Sequence, residues 1–215
     1  MQVIPAINVT NFDDVQLRLR TARDVGAEWA HIDVADGTFT ENALWQNAKQ
    51  LQASGWGSQI NIEVHLMVSN PDEVIGKWLA TGVKRVIVHV EAAQNIEALR
   101  KQCEEVGVEF VLALNPDTPV EYCLAHMHTI RHILVLAVTP GKAGQVFRDD
   151  QVPKIKFLRD KVSQIGAHVT IEVDGGVNAK NAAAIKLAGA DIIVSASYIF
   201  GSNDPKKAYK TLSEL

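Results

Sequence analysis

Eight short runs rich in β-branched and other apolar residues recur along the chain, at 3–7, 29–34, 60–68, 85–90, 108–114, 133–138, 169–173 and 192–195. Stretches of helical period separate them. A strand with one wet face alternates apolar with polar residues, so near-continuous apolar runs belong to a parallel sheet covered on both faces. Parallel neighbours need a crossover, and the amphipathic segments of about ten to fifteen residues between runs are of the right length for one. Eight βα units in 215 residues average roughly 27 residues each. The expected architecture is therefore α/β, a compact (β/α)8 TIM barrel over residues 1–215 as one domain, with no lid domain or long linker. A doubly wound open sheet is the alternative.

Punctuation between the runs supports this alternation. Thr10 or Asn11, Asn70-Pro71, Asp117-Thr118-Pro119 and Asn178 stand where helix N-caps are expected, and Gly26, Gly82, Gly107, Gly166 and Gly189 stand where helices should close. Lys and Arg number 21 against 25 Asp and Glu, without a long run of either sign, so a basic nucleic-acid surface has no support. No segment approaches the ~20 apolar residues of a membrane span, and the N-terminus lacks a leader pattern. Cys103 and Cys123 have no metal-binding or redox spacing and read as buried thiols in a reducing compartment, so a cytoplasmic protein is expected.

In such a barrel the strand C-termini and the loops after them build the active site. Three runs end in polar residues: His31-Ile-Asp33-Val-Ala-Asp36-Gly37, Glu63-Val-His65-Leu-Met67 and Glu172-Val-Asp174-Gly-Gly176. Side chains alternate along a strand, so His31 and Asp33 point the same way, with Ile32 toward the helices. His65, flanked by Val64 and Leu66, should also point inward. Two imidazoles and two carboxylates suit one divalent cation such as zinc, iron, manganese or cobalt, and burying the acids without a cation would cost several kcal/mol each. His89 and Glu91 share parity and read as a satisfied pair in the mouth wall. His126, His128, His132 and His168 read as helix or loop residues without chemistry.

Glycines gather after the later runs: Gly141-Lys142-Ala143-Gly144, Gly175-Gly176 and, just before a helix, the small pair Ala196-Ser197. Backbone N–H groups in such turns bind phosphate, which implies a phosphorylated small molecule. Asp33 and Asp174 come from strands three apart in an eight-membered ring. They would approach a central substrate from different sides, as an acid and a base must to invert one carbon.

These motifs, with Val88-His89-Val-Glu91-Ala92, Leu114-Asn-Pro-Asp-Thr-Pro119 and Val138-Thr-Pro-Gly-Lys-Ala-Gly-Gln-Val-Phe147, resemble the ribulose-phosphate 3-epimerase family over nearly the whole chain. The resemblance implies that His31, Asp33, His65 and Asp174 ligate one divalent metal, and that Asp33 and Asp174 exchange the C3 proton of a ketose phosphate through a 2,3-enediolate. It further implies that the loops at 141–144, 175–176 and 196–197 hold the phosphate, that the substrate is D-ribulose 5-phosphate, and that the chain forms a homo-oligomer.

Several positions depart from the family pattern. Ala6 stands where a serine is usual, with the amide of Asn8 close by; Thr38 replaces a histidine; Ala35 and Leu136 replace two methionines that cap the metal, leaving Met67; Lys142 and Ala143 replace an aromatic-containing pair. They touch substrate contacts and spare the ligands, so a 3-epimerase of another ketose phosphate, such as allulose 6-phosphate, is the first alternative. A non-catalytic phosphate-binding barrel is the second. A related lyase group places a lysine within Asp-x-Lys-x-x-Asp, where this chain has Asp33-Val-Ala-Asp36.

Overall fold

The N-terminal strand β1 (Gln2–Ile7) closes a ring by pairing in parallel with β8 (Ile192–Ser195), from Gln2 opposite Ile192 to Pro5 opposite Ser195. That closure excludes an open sheet. The computed structural model describes residues 1–166 and 168–215. Between β1 and β8 the ring runs in sequence order through β2 (Trp29–Ala35), β3 (Asn61–Met67), β4 (Arg85–His89), β5 (Glu109–Leu114), β6 (His132–Leu136) and β7 (Thr170–Asp174). Every expected run is a strand, shifted by a residue or two at its ends. One shift matters: β6 starts at His132, which places that histidine in the barrel, not in a helix or loop.

The helices are α1 (Phe12–Asp24), α2 (Ala48–Ser54), α3 (Pro71–Leu79), α4 (Ile96–Glu105), α5 (Glu121–Leu124), α6 (Gln151–Gln164), α7 (Ala182–Ala188), α8 (Ser197–Phe200) and α9 (Pro205–Ser213). Several are shorter than the expected crossovers; α5 has 4 residues and α2 and α7 have 7 each. The residues they lose form the loops above the strand C-termini. Asn11 caps α1, its side chain accepting from Asp14 N–H at 2.9 Å. Asn70 makes no capping bond, although Pro71 opens α3 as expected. Asp117 and Asn178 are not caps: α5 begins after Val120, and Asn178 accepts from Lys180 N–H in the turn before Asn181 and α7. The five closing glycines all have left-handed φ.

Parity along the strands sorts the core into two layers. Ile32, Val34, Val64, Leu66 and Val173 point outward and pack with Leu19, Leu99, Ile155 and Ile185 of the helices. Ile87, Val111, Ala113, Leu134, Leu136 and Val138 fill one side of the lumen, and Ile4, Ala6, Ile192 and Val194 another. Polar side chains occupy the rest. Cys103 and Cys123 are free and buried, and burial pushes the Cys103 thiol up to about 12. Among the described residues no helix is long and apolar enough to cross a membrane.

Candidate active site

Strands β2 and β3 lie in register with His31 opposite Glu63 and Asp33 opposite His65, and all four side chains turn into the lumen. Asp33 Oδ1 is 3.3 Å from His31 Nε2 and 3.2 Å from His65 Nδ1. From the end of β7, Asp174 Oδ2 reaches within 3.8 Å of His65 Nδ1. One donor atom from each of His31, Asp33, His65 and Asp174 lies within 4.8 Å of all the others. The acids thus face one small space, and neither turns toward the helices.

Electrostatics favour positive charge in that space. Burial and then the Asp33 charge push Asp174 well above the carboxylate range. Burial works the same way on Asp33, but hydrogen bonds from His31 and His65 outweigh it and hold Asp33 low. Two buried carboxylates this close cannot both be ionised without added positive charge. Two imidazole nitrogens and two carboxylate oxygens are also a donor set that zinc, iron, manganese and cobalt accept. The four residues therefore fit a divalent cation.

Each imidazole has a partner on its far side. His31 Nδ1 lies 2.8 Å from Glu63 Oε1 and 3.7 Å from Glu172 Oε1. His65 Nε2 lies 2.8 Å from His89 Nε2, whose Nδ1 is 3.1 Å from Glu91 Oε2. Burial pushes the His65 imidazole down to about 4, opposed by Asp33 and reinforced by His89. With the near nitrogens facing the acids, His31 offers Nε2 and His65 offers Nδ1.

A second polar layer lies below. Glu63 Oε2 accepts from Arg85 Nη1 at 3.0 Å, Arg85 Nε donates to Glu109 Oε2 at 2.6 Å, and His132 Nδ1 is 3.1 Å from Glu109 Oε1. His132 Nε2 is 2.9 Å from Glu172 Oε2, an ion-pair distance at angles outside a hydrogen bond. The two acids of this layer diverge: burial and Glu172 push Glu63 up, whereas contacts with His132 and His31 overcome burial and hold Glu172 down.

Above the four donors opens a pocket lined by Asn8, Asp33, Met67, Leu136, residues 138–145, Asp174, Gly175, Gly176, Val177, Ala196 and Ser197. Asn8 Nδ2 donates to Asp33 Oδ2 at 3.0 Å. Gln145 Nε2 ties the β6–α6 loop by donating to the carbonyls of Thr139 at 2.6 Å and Lys142 at 2.8 Å. Gly175 and Gly176 have φ of 108° and 68°, and a Cβ on Gly176 would collide with the Phe147 backbone. Among the described residues, the N–H groups of Gly175, Gly176, Ala196 and Ser197 have no intramolecular hydrogen bond.

The residues expected to bind metal or substrate lie together around this pocket. His31 and His65 form its floor; Asn8, Asp33, Met67, Gly141, Lys142, Ala143, Gly144, Asp174, Gly175, Gly176, Ala196 and Ser197 line its walls. Leu136 is also a wall residue, whereas Ala6, Ala35 and Thr38 are not; Ala35 is fully buried against Leu44 and Met67. His89 and Glu91 pair as expected, but His89 also meets His65. Sequence reasoning passed over Glu63, Arg85, Glu109, His132 and Glu172. Glu63 and Glu172 carried a usable signal, since each sits two residues before one of the four donors and shares its parity.

The chain matches the ribulose-phosphate 3 epimerase family over residues 2–200. It is 35% identical over 195 residues to the ribulose-phosphate 3-epimerase of Chlamydia muridarum, covering 90% of this chain and 85% of that protein. The corresponding protein of Escherichia coli K12 is 31% identical over 217 residues, covering 100% of this chain and 96% of its own. Among solved structures, 3-hexulose-6-phosphate synthase from Salmonella typhimurium superposes with a TM-score of 0.74 at 14% identity, covering 100% of this chain and 97% of that one, a likeness of fold. The chain belongs to the ribulose-phosphate 3 epimerase family.

Proposed function

We propose that the protein inverts C3 of a ketose phosphate, with D-ribulose 5-phosphate and D-xylulose 5-phosphate as the pair interconverted. The observation that carries this reading is the approach of Asp33 and Asp174 to one pocket from β2 and β7. An inversion needs a base on one face of the carbon and an acid on the other. One aspartate takes the C3 proton and leaves an enediolate; the other returns a proton to the opposite face, and the roles exchange in reverse. His31, Asp33, His65 and Asp174 would hold the divalent cation, which when bound would offset the charge of the aspartate that is ionised, while the other carries the proton, and the charge on neighbouring substrate oxygens. Asn8, bonded to Asp33, keeps that carboxylate turned to the pocket.

The phosphate is held by the Gly175, Gly176, Ala196 and Ser197 amides, with Gly141, Ala143, Gly144 and Lys142 across the pocket. The unpaired N–H groups support this placement. Leu136 and Lys142 line the wall that meets the sugar and its phosphate, so the choice among ketose phosphates rests there. Two buried free thiols accord with a cytoplasmic protein, and exposed Leu187 and Val146 offer apolar surface for a homo-oligomer. The deciding experiment combines metal analysis of the purified protein with proton NMR in D2O on a panel of ketose phosphates. Deuterium should enter C3 of D-ribulose 5-phosphate. Exchange on allulose 6-phosphate alone would move the assignment to that sugar, and no exchange with any of them would leave a binding protein.

A further inference from the structure

We propose that Glu63, clamped by Arg85, is the positioning residue that fixes the tautomer of His31 and so sets metal affinity. The inference rests on the metal-dependent reading above. His31, Glu63, Arg85 and Glu109 are mutual register partners on β2, β3, β4 and β5, one level below Asp33 and His65. Neighbours in register on parallel strands present side chains to the same face, so the four form a ladder of alternating charge across half the barrel.

An imidazole binds a metal through an unprotonated nitrogen and must then carry its proton on the other. His31 Nε2 faces Asp33 and the cation site, so Nδ1 must donate, and Glu63 Oε1 receives it at 2.8 Å with both side chains fully buried. Glu63 cannot swing away. Its second oxygen takes Arg85 Nη1 at 3.0 Å, and the Arg85 guanidinium lies 3.7 Å from the Trp29 ring centroid with Nε on Glu109. Trp29 and Glu109 thus hold Arg85, Arg85 holds Glu63, and Glu63 turns His31.

The clamp predicts the effect of an isosteric change. In Glu63→Gln, Arg85 has five N–H donors and no acceptor, so it claims the amide oxygen. The amide NH2 is then left facing His31 Nδ1, which favours the wrong tautomer, with hydrogen on Nε2. Zinc affinity, measured by competition with a chromogenic chelator, should fall about 10- to 100-fold. A merely structural ion pair would lower thermal stability and leave affinity alone.

Wild-type affinity in Glu63→Gln would overturn the proposal. Nitrogen-15 NMR of zinc-loaded wild type gives a check that no folding defect can disturb. His31 must carry its proton on Nδ1, and a proton on Nε2 ends the idea. Failure of the wild type to bind zinc, iron, manganese or cobalt would instead remove the metal reading beneath it.

Discussion

His65 Nε2 and His89 Nε2 face each other at 2.8 Å, so one proton must lie between them. His89 Nδ1 points to Glu91 Oε2 at 3.1 Å, and Glu91 Oε1 accepts the Asn115 N–H at 2.8 Å. Despite burial, those bonds, led by His89, bring the Glu91 carboxyl down to about 2, so it is an anion that receives the His89 proton. The proton order follows: Nδ1–H of His89 to Glu91, Nε2–H of His65 to His89, and His65 Nδ1 free for a metal.

Replacing His89 with phenylalanine retains a ring against Phe39, whose centroid is 4.9 Å away, but removes the acceptor for His65. Zinc affinity in His89→Phe should fall roughly 10-fold or more, read by chelator competition. Glu91→Gln should give a smaller loss in the same direction. Equal affinity in His89→Phe and wild type would mean that His65 needs no partner.

Asp174→Asn removes one of the two proposed proton carriers at nearly constant volume. Deuterium exchange at C3 of D-ribulose 5-phosphate should drop by at least about 100-fold, while far-ultraviolet circular dichroism stays that of the barrel. Asp33→Asn should do the same. If Asp174→Asn kept near-normal exchange, the two-aspartate mechanism would fall.

Lys142 is exposed on the β6–α6 loop and lines the pocket beside Gly141 and Gly144. On the proposed placement of the phosphate, a cation there would act on it before and during the reaction alike. Lys142→Ala should therefore raise KM about 10-fold with kcat nearly unchanged, the signature of uniform binding. Steady-state kinetics decide it, and an unaltered KM makes Lys142 a solvated loop residue.

The barrel was legible because its eight runs are apolar on both parities, which only a covered parallel sheet requires. The four clustered donors His31, Asp33, His65 and Asp174 were legible for the converse reason, as polar residues ending runs that are otherwise apolar. The layer beneath them was not. Glu63 and Glu172 share parity with His65 and Asp174, but that they meet His31 and His132 depends on the pairing of neighbouring strands, β2 with β3 and β6 with β7, which no single strand displays. Arg85 opens its run and Glu109 is second in its own, so both look like solvated strand ends; only the register of β3, β4 and β5 turns them toward each other. His132 read as a loop residue because its strand begins one residue before the apolar run.

His132 supplies the pH test of that layer. It is fully buried on β6, facing Glu109 on β5 and Glu172 on β7, with Arg85 on β4 beyond Glu109 and His31 on β2 beyond Glu172. Burial opposes its charge, but Glu109 and Glu172 outweigh burial and raise it to about 9. An unfolded histidine titrates near 6.5, so the folded state binds the extra proton between these values. The stabilisation is complete below about pH 6.5 and is lost as pH rises through about 9, on the order of 3 kcal/mol in all. Glu63 and Asp174, also raised, slope the same way in metal-free protein, so the comparison needs a variant. Urea unfolding of metal-free His132→Gln should show it less stable than wild type at pH 6, with the two converging as pH approaches 10. Parallel curves across that range would mean that His132 is neutral in the folded barrel.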